Sequence, residues 1–570
     1  MTVEETKNYM RSIYGVNAKL TSDESYDRAL AVKCHNGTFV GKEAEGVIAF
    51  KGIPYAKQPV GNLRWKKPER ADDSDDVYQA YYYGHSSIQT EWQSEVASYY
   101  MQGEDCLNLN IWTAVADSSY DKEKKRPVMV FFHGGSYGWG GSCDPLYEGH
   151  NLVKKFPDVI VVTVDYRTGI MGFMDFSKVP GGKEFKASGN LGLLDHVASL
   201  EWIRDNIAGF GGDPDNVTIW GESAGGGTVS LLPLMRGTEG LFKKIIAESG
   251  SIALTSSREE CYKLTEKLMI MSGYRNMKDL MNLTLDEIKE FNEGLNDYNN
   301  FPERDGIILP KNLYDAYKNG KAANVDMLIG TNKDEARYWM SEMGYYTSHV
   351  SGKTVYKAGI PIMFDNDRKR FIGDEMKNVA TFLKQHKGGR TWKLTEFYNE
   401  VIFRLPATAQ AEYSSDKGAN VYMYYWKYPS AIPGRGACHA VELAYVFNNP
   451  HIQIYTGDNI NDYLANEVQN MWVNFARCGN PSTKLHKWNS YDSKSRRVMI
   501  LDANIHEEKD LLARQRKLLW PVLKYYIHGA YMDMSLNVPT VYLGVAALMV
   551  GLGASTMMVC KAVSMVLRRD

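Results

Sequence analysis

Two serines in this chain stand in the pattern G-x-S-x-G, which can expose a hydroxyl as a nucleophile. One is Ser136, between Gly134 and Gly138 in HGGSYGWGGS; the other is Ser223, between Gly221 and Gly225 in WGESAGG. A single acyl-transfer site uses one attacking serine, so local context has to separate them. A nucleophile elbow needs a strand, a strained turn and a helix that begins directly after the serine. VTIW before Ser223 reads as the strand, and AGGGTVSLLPL after it can open the helix. Ser136 also follows a strand-like run, but Tyr-Gly-Trp-Gly-Gly-Ser-Cys-Asp-Pro comes next and cannot readily start a helix. Ser223 is therefore the candidate nucleophile. The glycine loop suits another task, which is to present bare backbone N–H groups to a developing oxyanion. Gly135 and Ser136 are expected to donate there through their amides, with Ala224, next to the nucleophile, as a third donor.

A serine nucleophile needs a base and an acid that orients the base. With a glycine-rich loop one strand–helix unit ahead of an elbow, the partners should follow in the order serine, acid, histidine, each just past a strand. MLIG is followed by TNKDEARYW, which offers Asp334 and Glu335. VYMYYW is followed by a Gly/Pro-rich loop carrying His439 in GACHAVELAYVF. Residue chemistry does not choose between the two acids, nor does it remove His349, His386 or His451 as the base.

The elements that must hold these groups are legible as alternation. Strand-like runs occur at Val128–Phe132, from Val159, from Val217, from Lys244, from Met327 and from Val421. Between the second and third, LLDHVASLEWIRDNIAG places Leu193, Val197, Leu200, Ile203 and Ile207 at helical spacing, with Gly209 as its expected cap. Buried strands alternating with helices predict an α/β architecture, a mostly parallel sheet covered on both faces. Residues 255 to 320 and 338 to 410 interrupt the alternation and read as helical excursions over the active-site end of the sheet.

Composition removes other classes. Lysine and arginine total 66 against 68 acidic residues, which gives no field to attract nucleic acid. The seven cysteines are scattered without any Cys/His ligand spacing, so no structural metal is expected. Serine chemistry of this kind needs no cofactor. The N-terminal MTVEETKNYMRSIYG lacks the apolar core of a secretory signal. At the other end Val538 to Cys560 is free of charge, long enough to cross a hydrocarbon core of about 30 Å as a helix. The expected division is thus a catalytic domain over 1–532, a transmembrane tail anchor over 538–560 and a short basic tail over 561–570. The membrane is then a partner through the C-terminal helix, and the catalytic domain lies on the cytosolic side.

Longer motifs carry a resemblance. FKGIPYAKQPVGNLRWKKPE, EDCLNLNIW, the block ASGNLGLLDHVASLEWIRDNIAGFGGDPDNVTIWGESAG, NKDE, GACHAVELAYVF and WVNFARCGNP follow one another. In that order they resemble the type-B carboxylesterase and cholinesterase family, from about Leu30 to Trp520. The resemblance implies an α/β-hydrolase fold and a serine esterase acting on small-molecule carboxylic esters through an acyl-enzyme. It also implies Ser223 as nucleophile, Glu335 as acid and His439 as base, with Glu222 as the acidic neighbour of the nucleophile and Ser249 as a buried serine near the histidine. Tyr338 and Trp339 fall where cholinesterases place pocket aromatics, whereas the loop ahead of EDC is too short to make Trp92 a choline-stacking residue. The family's disulfides look dismantled: Cys106 and Cys261 lack their partners, and Lys517 stands where secreted relatives carry a cysteine. Membrane-associated lipases and thioesterases share the triad; a non-catalytic adhesion protein on this scaffold would usually have lost the serine or the histidine.

Overall fold

A computed structural model describes residues 3–21, 26–90, 100–115, 125–295, 300–342, 374–458 and 460–526. Its centre is an eleven-stranded sheet. In chain order the strands are β1 (Lys42–Ala44), β2 (Val47–Pro54), β3 (Asn108–Ala114), β4 (Arg126–Phe132), β5 (Ile160–Val164), β6 (Gly212–Glu222), β7 (Lys244–Glu248), β8 (Asp326–Asn332), β9 (Val421–Trp426), β10 (Arg497–Leu501) and β11 (His506–Lys509). In space they run β11-β10-β9-β8-β7-β6-β4-β5-β3-β2-β1. The block from β10 to β5 is parallel throughout, and the strands outside it are antiparallel. All six sequence-predicted strands are present in that parallel block.

Covering both faces follows from the two-residue period of a strand. In β4, Val128, Val130 and Phe132 enter one hydrophobic core, while Met129 and Phe131 enter the opposite one. Helix α1 (Leu191–Asn206) buries Leu193, Leu200 and Ile203 in the first core. Its cap differs from expectation. A short 3-10 turn over Ile207–Phe210 continues the chain, and Gly211, at φ 84°, is the left-handed terminator. Gly209 is required for packing instead, since a Cβ there would meet Val32 Cγ1 at 2.9 Å.

The transmembrane helix is not borne out. Among the described residues no helix is long and apolar enough to cross a membrane, and 538–560 lies outside the described residues. Freedom from charge is necessary for a span without being sufficient for one. The tail anchor, the membrane as a partner and the cytosolic placement tied to it are therefore withdrawn. The cysteine reading agrees with the structure: Cys34, Cys106, Cys143, Cys261, Cys438 and Cys478 are all free thiols.

Candidate active site

Strand β6 ends at Glu222, and helix α2 (Ala224–Leu231) starts two residues later, so the turn between them is a single residue, Ser223. Its backbone sits at φ 58°, ψ −119°, a conformation costly for a residue with a Cβ. Tight crossing enforces it. A Cβ on Gly225 would lie 1.9 Å from the carbonyl oxygen of Phe132 at the end of β4. The Ser223 N–H is tied to the Glu248 carbonyl of β7 at 2.9 Å. The serine itself remains half-buried while both neighbours are buried.

The glycine loop after β4 folds back beside this corner; a Cβ on Gly134 would stand 3.1 Å from Ser223 Cβ. Gly135 has φ 102°, and Ser136 and Tyr137 follow at 54° and 60°. The Gly135 carbonyl accepts from the N–H groups of Gly138 and Trp139 at 2.9 and 3.0 Å, which closes the turn. Among the described residues the N–H groups of Gly135, Ser136 and Ala224 donate to no protein acceptor. All three expected oxyanion donors are thus uncommitted.

Past β8, Glu335 is fully buried. Its Oε1 accepts from Ser249 Oγ at 2.6 Å and from the Asn332 N–H at 2.7 Å, and its Oε2 lies 2.7 Å from His439 Nδ1. The alternative acid is used differently. Asp334 accepts from the Ala437 N–H at 3.0 Å and pairs with Arg337 at 2.9 Å, so it shapes the histidine loop without touching the imidazole. Of the other histidines, His386 is bonded to the Phe382 carbonyl, His451 is exposed, and His349 lies outside the described residues, as does Trp92.

His439 turns its Nε2 toward Glu222, 3.1 Å from Oε1, but off the hydrogen-bonding direction, and neither atom has a hydrogen bond. No hydrogen bond joins Nε2 to Ser223 Oγ in this structure. Burial, and after it the negative neighbour Glu335, holds the Glu222 carboxyl well above the usual range.

Two aromatic rings pack side by side against the imidazole. Trp339 lies 4.7 Å and Phe403 5.0 Å from the ring of His439, and the two stack on each other at 6.0 Å and 9°. Tyr338 is turned to Tyr455 at 5.7 Å. Phe403 belongs to a π-helical turn, Asn399–Arg404, a wide turn often found at functional sites. Asn399 there accepts from the Ala336 N–H at 2.8 Å and donates to the Lys333 carbonyl at 3.1 Å, joining this turn to the Glu335 loop. The sequence offers no signal for Phe403, which reads as part of an ordinary helix. Glu442 was also missed, although its position three residues after His439 could have marked it. Among the described residues no cluster of His, Cys, Asp and Glu could hold a metal ion.

A model of the carboxylesterase family matches residues 28–520. Para-nitrobenzyl esterase of Bacillus subtilis (strain 168) is 33% identical over 505 residues, covering 85% of this chain and 97% of its own. Liver carboxylesterase 1 of Oryctolagus cuniculus is 32% identical over 518 residues, covering 81% and 87%. Among solved structures, the Geobacillus stearothermophilus carboxylesterase EST55 superposes with a TM-score of 0.76 at 31% identity, over 86% of this chain and all of the other.

Proposed function

Since the chain belongs to the carboxylesterase family and is a serine hydrolase of carboxylic esters, we propose that Ser223 is its nucleophile, His439 the base and Glu335 the acid that orients the base. Residues 1–532 are read as one catalytic domain. The observation that carries the assignment is the 2.7 Å contact between Glu335 Oε2 and His439 Nδ1, with the other imidazole nitrogen turned to the Glu222–Ser223 corner. A carboxylate on Nδ1 holds the proton there and leaves the Nε2 lone pair free to accept. Catalytic hydrogen bonds often close only when substrate is bound. On this reading the Ser223 hydroxyl moves into line with Nε2 as the ester enters.

Oγ then attacks the carbonyl carbon while its proton passes to Nε2. The carbonyl oxygen gains negative charge against the N–H groups of Gly135, Ser136 and Ala224, each such donor being worth about 10² to 10³ in rate. Ser136 acts through its amide, so the first G-x-S-x-G serves the oxyanion and the second the attack. The imidazolium returns the proton to the departing alcohol, and water repeats the sequence to release the acid. Trp339, Phe403 and Tyr338 line an aromatic wall beside the base, which supports small or medium apolar esters as substrates. Ser249 supports Glu335, and Glu222 faces Nε2 beside the nucleophile.

The test is Ser223→Ala with a fluorophosphonate probe and a series of esters of increasing chain length. The variant should fold normally, take up no probe and lose turnover. Retained burst kinetics would remove Ser223 from the role.

A further inference from the structure

Beneath the imidazole, four glutamates from different elements meet in the core. Glu222 and Glu248 are paired in register at the ends of β6 and β7. Glu335 follows β8, and Glu442 lies three residues past His439. Glu222, Glu248 and Glu442 are all buried. Glu335 has three donors, as described. The others are less well served. Glu248 Oε1 accepts from Trp472 Nε1 at 2.5 Å, and Glu442 Oε2 accepts from Asn332 Nδ2 at 2.5 Å. Glu222 Oε1, Glu248 Oε2 and Glu442 Oε1 are buried with no hydrogen-bond partner, as is the Tyr424 hydroxyl on β9. The charged groups acting on these three acids are one another and Glu335; the other titratable groups facing them among the described residues are Tyr424, Tyr147, Tyr455, Cys438 and the imidazole of His439, of which only the imidazole can become a cation.

Three buried carboxylates with no cation among the groups acting on them cannot all be charged, because each pays desolvation and repels the next. We propose that Glu248 and Glu442 are positioning residues that, with Glu222, form a shared neutral acid cluster, leaving Glu335 as the one negative charge that His439 answers to. This rests on the assignment of His439 as the base. The reason it matters is the 3.1 Å approach of Glu222 to Nε2. In a cluster of interacting acids the first negative charge is distributed over the members at equilibrium, so part of it falls on Glu222. An ionised Glu222 would pair with a protonated Nε2 and hold the imidazole in a form that cannot take the serine proton. Burial, with Glu222 and Glu335 as neighbours, pushes the Glu442 carboxyl up to about 8, and Glu248 is raised as well, by burial and then by Glu442. Activity should therefore fall on the alkaline side as the cluster loses its first proton.

Glutamine mimics a neutral carboxylic acid, so Glu442→Gln and Glu248→Gln test the protonation state and the role together. At pH 7 each variant should keep kcat/KM within about threefold. In Glu442→Gln the alkaline limb near pH 8 should move up by a pH unit or more. Difference infrared spectra should show protonated-carboxyl absorption at neutral pH that weakens in each variant, a readout independent of turnover and hence of the base assignment. An unchanged alkaline limb in Glu442→Gln, an equal loss of activity at every pH, or the absence of protonated-carboxyl absorption at neutral pH would each overturn the proposal.

Discussion

Replacing Glu335 by glutamine probes the acid–base pair most sharply, because the surroundings of Glu335 dictate how the amide must lie. Oε1 accepts from a backbone N–H, that of Asn332, and from the Ser249 hydroxyl. The hydroxyl can rotate and become an acceptor; the backbone N–H cannot. Placing the glutamine NH₂ on that side would set two donors against each other in a buried site, at about 1–3 kcal/mol. The amide oxygen therefore stays with Asn332, and the NH₂ faces His439 Nδ1. It can donate only to an unprotonated Nδ1, which moves the ring proton to Nε2, where the base needs a lone pair. The same 1–3 kcal/mol leaves the competent tautomer at roughly a fifth to a hundredth of molecules. Loss of the carboxylate that stabilises the imidazolium supplies the remainder, and the total should be about 10³ to 10⁴ in kcat, or about 4 to 5 kcal/mol of barrier. Steady-state hydrolysis of a chromogenic aryl ester reads it, with KM little changed and thermal unfolding within a few degrees of wild type. Retention of kcat within tenfold, in a folded protein, would refute the tautomer argument.

Two further expectations concern the scaffold. Gly225→Ala would drive a Cβ to 1.9 Å from the Phe132 carbonyl oxygen, a backbone atom that cannot swing aside, so urea unfolding should show a loss of about 3 kcal/mol or more. The third site is Asp165, buried and bonded to the Ser142 N–H at 2.9 Å. Burial raises its carboxyl to about 7 despite that bond. The unfolded group titrates near 4, so between about pH 4 and 7 the native state binds more protons and this group erodes stability as pH rises. Asp165→Asn should flatten that slope in denaturant titrations across the interval; an unaltered slope would contradict it.

The proposed order of serine, acid and histidine was legible because Ser223 and Glu335 stand close behind the ends of β6 and β8 and His439 lies on the loop that follows β9, and the apolar run of each strand announces it. The elbow was legible at Ser223 because a run that can open a helix follows it directly, whereas the equally glycine-rich loop around Ser136 continues into Gly-Gly-Ser-Cys-Asp-Pro. Choosing Glu335 over Asp334 was not available from local chemistry, since the two are adjacent and equally acidic. Their difference is set chiefly by Ala437, which binds Asp334, and by Ser249 and His439, which bind Glu335, all distant from the pair in the chain. Phe403 was hidden for a related reason: a π-turn has no composition of its own. The expected tail anchor shows the limit of a one-term argument, since it rested on freedom from charge alone. Gly209 was misread as a terminator because a glycine needed for close packing against Val32 looks the same in sequence as one needed for its φ.

The amide of Asn399 makes the proposed acid, Glu335, and the aromatic wall beside His439 mechanically one part. It grips the backbone on both sides of the Asp334–Glu335 pair, at Lys333 and Ala336, while its own turn carries the phenyl ring that rests on the imidazole. Remodelling that wall to admit a bulkier acyl group would therefore tug on the carboxylate behind the proposed base, so a change of substrate range in this protein carries a change in proton transfer with it.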